Sequence, residues 1–388
     1  MKQAMVLLGM VLCGALYAPL GAQADALYTV KVIGGEGSAA YDVNESGQVV
    51  GQLSAGASYT GFFYDGSALT DLGRLGGSLA YRLNDSGTVV GSIYHDEGNQ
   101  AISYANGVVT LLPFTGRSEA NDINAAGAIT GTGQFDNTEG VAQSHAYLYA
   151  GSVVTDLGGF PGVPQPFSYG NGINDAGHVA GTIVVDDFPN LPSDPFLYRD
   201  GVLQDLGNFG GIFSNGWTVN NQDQVVGSAG REYVEDGTGN LYPISAFLYS
   251  KGVLHNLGSM IPNGNSSAYD INDQGQVVGR SDTAEGALAY LYSAGSMVLL
   301  NALIDPASGW SVTNAVGINE LGQIAGRACQ GELCYAVRLD LAAAVPAPGS
   351  VLLFGAGLLV LALGRVAGRE EPWRWETPGS RPSVRAFA

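Results

Sequence analysis

Charge is scarce in this 388-residue chain, and positive charge is scarcest: Asp, Glu, Lys and Arg make up 13% of it, with 16 bases against 35 acids. Globular chains usually carry about a quarter charged residues, yet 46% of this one is apolar, so it is no disordered polyelectrolyte and can bury a large core. Residues 25–364 hold 32 acids and 10 bases, a net charge of −22. Binding to a phosphate backbone depends on Lys and Arg displacing condensed counterions, so nucleic acid is excluded as a partner. Cysteine is nearly absent, with three in all. Nucleophile elbows, His-Glu-x-x-His zinc motifs, phosphate loops and dinucleotide fingerprints are also missing, and no motif calls for a cofactor or a metal. What the chain has in excess is glycine, 58 residues beside 16 Pro, too much conformational punctuation for a helical bundle.

Both ends read as targeting segments. In residues 1–24, Lys2 supplies a short basic start, Ala4 to Leu16 is mostly apolar, and Ala22-Gln23-Ala24 offers a small-x-small cleavage site, a secretory signal that would leave Asp25 first. Near the other end an Ala/Pro linker, 342–350, leads into the apolar run Val351 to Gly364, followed by Arg365 and Arg369. That run is at the short edge of what spans a bilayer, and the arginines after it favour a cytoplasmic end with the body outside the inner membrane.

Between these ends one pattern recurs seven times: small-x-x-aliphatic-Asn-x-x-(Gly)-x-aliphatic-x-Gly, centred on Asn44, Asn84, Asn124, Asn174, Asn220, Asn272 and Asn319. The Asn-to-Asn spacings are 40, 40, 50, 46, 52 and 47. Most copies are followed by an aromatic strand, a turn and a strand ending in Leu-Gly, as in Phe62 to Gly73 and Phe196 to Gly207. Each unit thus offers four short apolar runs separated by turn residues, the signature of a small antiparallel sheet. Asn and Gly at this spacing build a tight hairpin, since the amide can bond backbone two residues on and Gly accepts positive φ. A calcium loop starting at Asp42 is the rival reading, disfavoured because position 1 becomes Arg82, Gly172 or Thr218 in other copies.

Seven four-stranded units predict an all-β, seven-bladed β-propeller over 25–341, with an open β-solenoid as the alternative. The seventh unit lacks its Leu-Gly strand, whereas Tyr28 to Gly35 looks like that missing strand, so the N-terminus is expected to complete the last blade. Cys329 and Cys334, the pair left after signal removal, are expected to form a disulfide across a hairpin of that blade.

Two resemblances add a destination. The repeats, from Tyr28 to Leu341, are similar to the HAF family of extracellular repeat proteins, with His145-Ala146-Tyr147 nearest to the naming His-Ala-Phe run. Val345-Pro346-Ala347-Pro348, the apolar run and Arg365 resemble the PEP-CTERM sorting signal of Gram-negative bacteria. That resemblance implies an exosortase-like processing enzyme as a partner, transient inner-membrane anchoring through 351–364, and delivery to the cell surface or extracellular matrix. Ala347 stands where that family usually has Glu, and the tail 370–388 runs beyond its usual end; a plain C-terminal anchor is the alternative.

No constellation assigns chemistry outright. His95, His145, His178 and His255 fall at different positions of different repeats. Asp186 with Asp187, or Asp223 with Glu235, are candidate acid pairs for glycoside hydrolysis, and Trp217, Tyr233 and Tyr242 are candidate sugar-stacking residues near two longer insertions. The expected function is that of a non-enzymatic surface or matrix protein with exopolysaccharide as its candidate ligand. The alternatives are an extracellular glycan-active hydrolase or lyase and a purely structural repeat.

Overall fold

The computed structural model describes residues 27–342, apart from 57, 74–77, 96–97, 137–139, 161–166, 185–191 and 233–242. The expected secretory signal, the expected sorting motif Val345 to Pro348, the apolar run with Arg365 and the tail lie outside the described residues. So do Asp186, Asp187, Glu235, Tyr233 and Tyr242. Among the described residues no helix is long and apolar enough to cross a membrane.

Seven separate four-stranded antiparallel sheets account for the described chain. Their innermost strands are Ala39–Val43, Ser78–Leu83, Ser118–Ile123, Phe167–Ile173, Asn215–Val219, Ser266–Ile271 and Ser311–Ile318, defining blades 1 to 7. Each inner strand packs beside the inner strands of both neighbouring blades, and that of blade 7 returns to that of blade 1. The ring is closed, as a seven-bladed propeller requires and an open solenoid does not. The fourth strand of blade 7 is Tyr28–Glu36, paired antiparallel with Leu333–Leu341 from the far end of the sequence.

The core lies between blades rather than within any one of them. One cluster joins Ala180, Leu197 and Leu206 of blade 4 to Val219, Val225 and Phe247 of blade 5. Another joins Ala325 and Ala336 of blade 7 to Ala40, Val43 and Phe62 of blade 1. The aromatic residue of the third strand is fully buried at Phe62, Tyr147, Phe196, Phe247 and Tyr290, each worth roughly 1.5–3 kcal/mol of burial. In these five blades the glycine that ends the repeat makes room for that ring. A Cβ on Gly181 or Gly227 would meet Phe196 or Phe247 at 2.5 or 2.6 Å, and backbone at 2.0 Å in both cases.

A serine six residues before the repeat Asn ties blades together at the inner-strand start. The hydroxyls of Ser118, Ser168, Ser266 and Ser38 accept from the backbone N–H of Ala101, Ala146, Ala246 and Ala336 at 2.8–3.0 Å, each on the third strand of the preceding blade. The last of these again joins blade 7 to blade 1.

Candidate functional site: an axial cavity built on seven bulges

The same irregularity interrupts every inner strand. Its register against the second strand slips between Ala40 and Asp42, Ala80 and Arg82, Ala120 and Asp122, Gly170 and Gly172, Gly216 and Thr218, Ala268 and Asp270, and Ala315 and Gly317. A β-bulge leaves one residue unpaired and re-aims its side chain, and such bulges gather beside functional sites. The extra residues are Tyr41, Tyr81, Asn121, Asn171, Trp217, Tyr269 and Val316, and all seven line one cavity of about 580 Å³. Every blade therefore contributes one half-buried side chain to a common axial chamber.

In order around the axis these seven are two tyrosines, two asparagines, a tryptophan, a tyrosine and a valine. The amide pair is thus flanked by aromatics on both sides. Asn121 and Asn171 donate Nδ2 to the carbonyls of Gly170 and Gly216 at 2.9 and 2.8 Å, which fixes the amides and leaves each Oδ1 as an acceptor. Trp217 and Tyr269 meet edge to face with centroids 6.4 Å apart. Burial, with Tyr59 and Tyr94 adding to it, pushes the Tyr41 phenol up to about 12, so it stays protonated as a donor. Two polar atoms of the lining, Trp217 Nε1 and Thr132 Oγ1, are buried without a hydrogen-bond partner. A buried donor without a partner costs about 1–3 kcal/mol, and a bound ligand or water would recover it.

Beneath this chamber the next residue of each repeat forms a floor: Asp42, Arg82, Asp122, Gly172, Thr218, Asp270 and Gly317. The carboxylates act as struts between neighbouring blades. Asp42 accepts from Leu83 N–H at 3.0 Å, Asp122 from Ile173 N–H at 2.8 Å and Asp270 from Ile318 N–H at 2.8 Å. Arg82 of blade 2 reaches over blade 1 to blade 7, donating to the carbonyls of Tyr41 and Val316 at 2.9 and 3.3 Å, with its Nη1 3.9 Å from Asp42. Burial pushes Asp122 up to about 7 and Asp270 up to about 6 against the opposing pull of Arg82, and it raises Asp42 as well. Gly172 and Gly317 complete the floor because a Cβ there would lie within 3 Å of the adjacent blade's backbone.

The far side of the floor belongs to the repeat Asn residues. Each is buried, and in each turn its Oδ1 accepts from backbone N–H groups, as Asn44 does from Ser46 and Gln48 at 3.1 and 2.9 Å. Its Nδ2 does more than a turn requires, donating to the backbone carbonyl of the corresponding Asn in the next blade. The chain of bonds runs Asn44, Asn84, Asn124, Asn174, Asn220, Asn272, Asn319 and back to Asn44, at 2.9–3.1 Å throughout. A second ring follows from the residue after each Asn. The side chains of Asp85, Asp175, Asn221, Asp273, Glu320 and Glu45 accept from the preceding blade's backbone N–H, and the ring lapses only at Ala125. These two rings enclose a separate cavity of about 380 Å³.

The remaining sequence candidates lie elsewhere. Asp42 and Asn44 already use their oxygens on backbone N–H groups, and among the described residues no group of three or more His, Cys, Asp or Glu could hold a metal. His145 pairs with Asp156 at 2.9 Å in blade 3, and His178 with Asp223 at 2.6 Å at the blade 4–5 turns, while His255 is on the outer strand of blade 5. The four histidines share no site, although for His95 only its position at the end of a blade 2 strand is described. Asp223 is a turn residue, taking the glycine position of its repeat with φ +57°. Cys329 and Cys334 face each other in the second hairpin of blade 7, their sulfurs joined. Of the stacking candidates, Trp217 is in the axial chamber. Its companions Tyr41, Tyr81, Tyr269, Asn121, Asn171 and Arg82 were hidden in the two variable positions of the repeat, whose constant offset from Asn was the available signal.

No family model matches the chain, and no curated protein matches it. Among solved structures it is similar to the β-propeller domain of the Trilobed protease from Pyrococcus furiosus (TM-score 0.49, 10% identity, covering 78% of this chain and 95% of that one). It is also similar to Pyrococcus horikoshii acylaminoacyl peptidase (TM-score 0.49, 11% identity, 81% of this chain and 53% of that one). A third match is a catalytically inactive virginiamycin B lyase from Staphylococcus aureus with quinupristin (TM-score 0.43, 9% identity, 81% of this chain and all of that one). At such identities and TM-scores these likenesses carry no functional argument.

Proposed function

We propose that this chain is an exported, non-enzymatic glycan-binding propeller of the bacterial surface or matrix, and that the axial chamber is its binding site. The observation that carries the reading is the set of seven bulge side chains, four aromatic and two amide, gathered in one cavity. Aromatic faces stack on the C–H faces of pyranose rings while fixed amides and phenols bond hydroxyls, a pairing of apolar body and polar edge that few other ligands match as well. The body's charge of −22 favours neutral over polyanionic glycans. Glycoside hydrolysis needs two carboxylates flanking the bond, and Glu119 is the one carboxylate among the described residues lining the chamber, which supports binding over hydrolysis.

Delivery to the surface rests on the secretory signal and on the sorting motif Val345 to Pro348 with Arg365. The binding reading is tested by calorimetric titration of the full-length protein with panels of neutral oligosaccharides and of peptides. Saturable binding of oligosaccharides that is weakened roughly 30-fold in Trp217→Ala is the expected result; binding of peptides alone overturns the reading. Intact mass and cell fractionation test delivery: a mature start at Asp25 and loss of the segment after Pro348 are expected, and an uncut chain held in the inner membrane overturns the sorting.

A further inference from the structure

The chamber is a broad basin, and its lining runs on into two further cavities. Over blade 3 it shares Glu119, Thr132 and Tyr169 with a cavity of about 480 Å³ that continues to Asn99 and Ser144. Over blade 6 it shares Tyr269 with a cavity of about 270 Å³ that continues to Ser267, Arg280 and Ala287. These two arms are the same place in two copies of the repeat. Glu119 pairs with Thr132 across the first two strands of blade 3 as Ser267 pairs with Arg280 in blade 6, and Ser144 and Ala287 hold the same position on the third strand. Blades 3 and 6 are three apart in a ring of seven, so the arms leave the chamber on nearly opposite sides of the axis. The chamber also spreads over Thr182, Val184, Ser193 and Asn215 of blades 4 and 5, which widens it between the arms and closes neither.

Resting on the glycan-binding reading, we infer that the protein binds an internal stretch of a neutral polysaccharide, laid across the face of the propeller from one arm through the chamber to the other. A polymer held by its middle must both enter and leave its site, and the two arms supply that pair of openings. The central sugars lie in the chamber among Tyr41, Tyr81, Trp217 and Tyr269, whose rings offer stacking faces, with Asn121 and Asn171 as partners for hydroxyls. The flanking sugars lie in the arms. Each arm carries one acid and one base among its described lining residues, Glu119 with Arg117 over blade 3 and Asp282 with Arg280 over blade 6, so neither selects for a charged chain. Buried atoms without a partner fall along the same track: Trp217 Nε1 in the chamber, and Thr132 Oγ1 where the blade 3 arm begins. Asn99 Nδ2 holds Glu119 Oε1 at 2.6 Å, which fixes a carboxylate edge for sugar hydroxyls in that arm.

Stoichiometry and two blocking variants test the inference. Full-length protein is titrated by calorimetry with malto-, laminari- and chito-oligosaccharides of increasing length, and with the linear polymer of each series that binds, in several chain lengths. The number of protein molecules bound per polymer chain should rise with chain length, since every internal stretch is a site. Ser144→Arg fills the blade 3 arm and Ala287→Arg the blade 6 arm, both at half-buried positions away from the chamber lining. Each should weaken binding of the longest oligosaccharides by about tenfold, the loss of one or two hydrogen bonds, and leave the shortest that bind unaffected. One protein bound per chain whatever its length, or long oligosaccharides that respond to one variant alone or to neither, overturns recognition of an internal stretch while leaving glycan binding intact. No binding to any of the series overturns the glycan reading itself and this inference with it.

Discussion

Two levels of the same seven inner strands, three residues apart, behave in opposite ways. At the repeat Asn the residue never changes, and each side chain is consumed by its own turn and the next blade's carbonyl. At the bulge the residue is Tyr, Asn, Trp or Val, and the side chains line an axial cavity, with Trp217 Nε1 buried without a partner. One level closes the ring with the same bond seven times; the other bonds neighbouring blades through the bulge side chain at Asn121 and Asn171 and varies in residue type from blade to blade. In a closed repeat fold, then, the strongest motif marks the scaffold, and the positions that fail to repeat mark the site.

That division is open to attack, and the heaviest blow falls at the scaffold level. Asn220→Ala removes the acceptor of the Gln222 and Gln224 N–H groups and the bond between blades to the Asn272 carbonyl, which keeps only Gly275 N–H of its own turn, at a cost on the order of 3 kcal/mol. A melting temperature lowered by several degrees, with oligosaccharide affinity per folded molecule unchanged, is expected in calorimetry; a selective loss of affinity would erase the distinction between levels. Trp217→Ala should do the reverse. It should weaken oligosaccharide binding by roughly 30-fold, about 2 kcal/mol, as removal of a central aromatic contact does elsewhere, with little change in thermal stability.

The floor between the levels should respond to pH. Asp122, about 7 when folded against about 3.9 unfolded, binds more protons in the folded state between those values. Its contribution to stability is therefore full below about pH 4 and declines as pH rises toward 7. Asp122→Asn should make that decline shallower than in the parent, as followed by thermal melts across pH 4–8; parallel curves would show that the floor does not titrate. The smallest effect expected is a gain. Ala125→Asp would supply the acceptor missing from the second ring and raise stability by about 0.5 kcal/mol, measured by denaturant titration; an unchanged or lowered stability would show that the ring gains nothing from completion.

Much of the architecture was legible in the chain. Seven copies of the Asn repeat with four apolar runs each specified blade number and strand count, and the orphan strand at Tyr28 pointed to closure by the N-terminus. The Asn side chains were legible only by half. Their bonds to the turn follow from spacing within five residues, but the bonds between blades span 40 to 52 residues and, at Asn319 to Asn44, 275. Trp217 was picked out as an aromatic near an insertion, whereas its partners across the axis carried no local mark that set them apart from ordinary strand residues.

The sequence by itself determined what depends on local chemistry: hairpins wherever Asn and Gly keep their offsets, strands wherever apolar residues alternate, and a strong excess of acidic over basic residues. The tertiary structure alone decided which faces of those strands meet. A bulge is a relation between two strands, and an axial chamber is a relation among seven blades. Only when Tyr28–Glu36 pairs with Leu333–Leu341 and the ring closes do residues as distant as Tyr41 and Trp217 come to line one cavity.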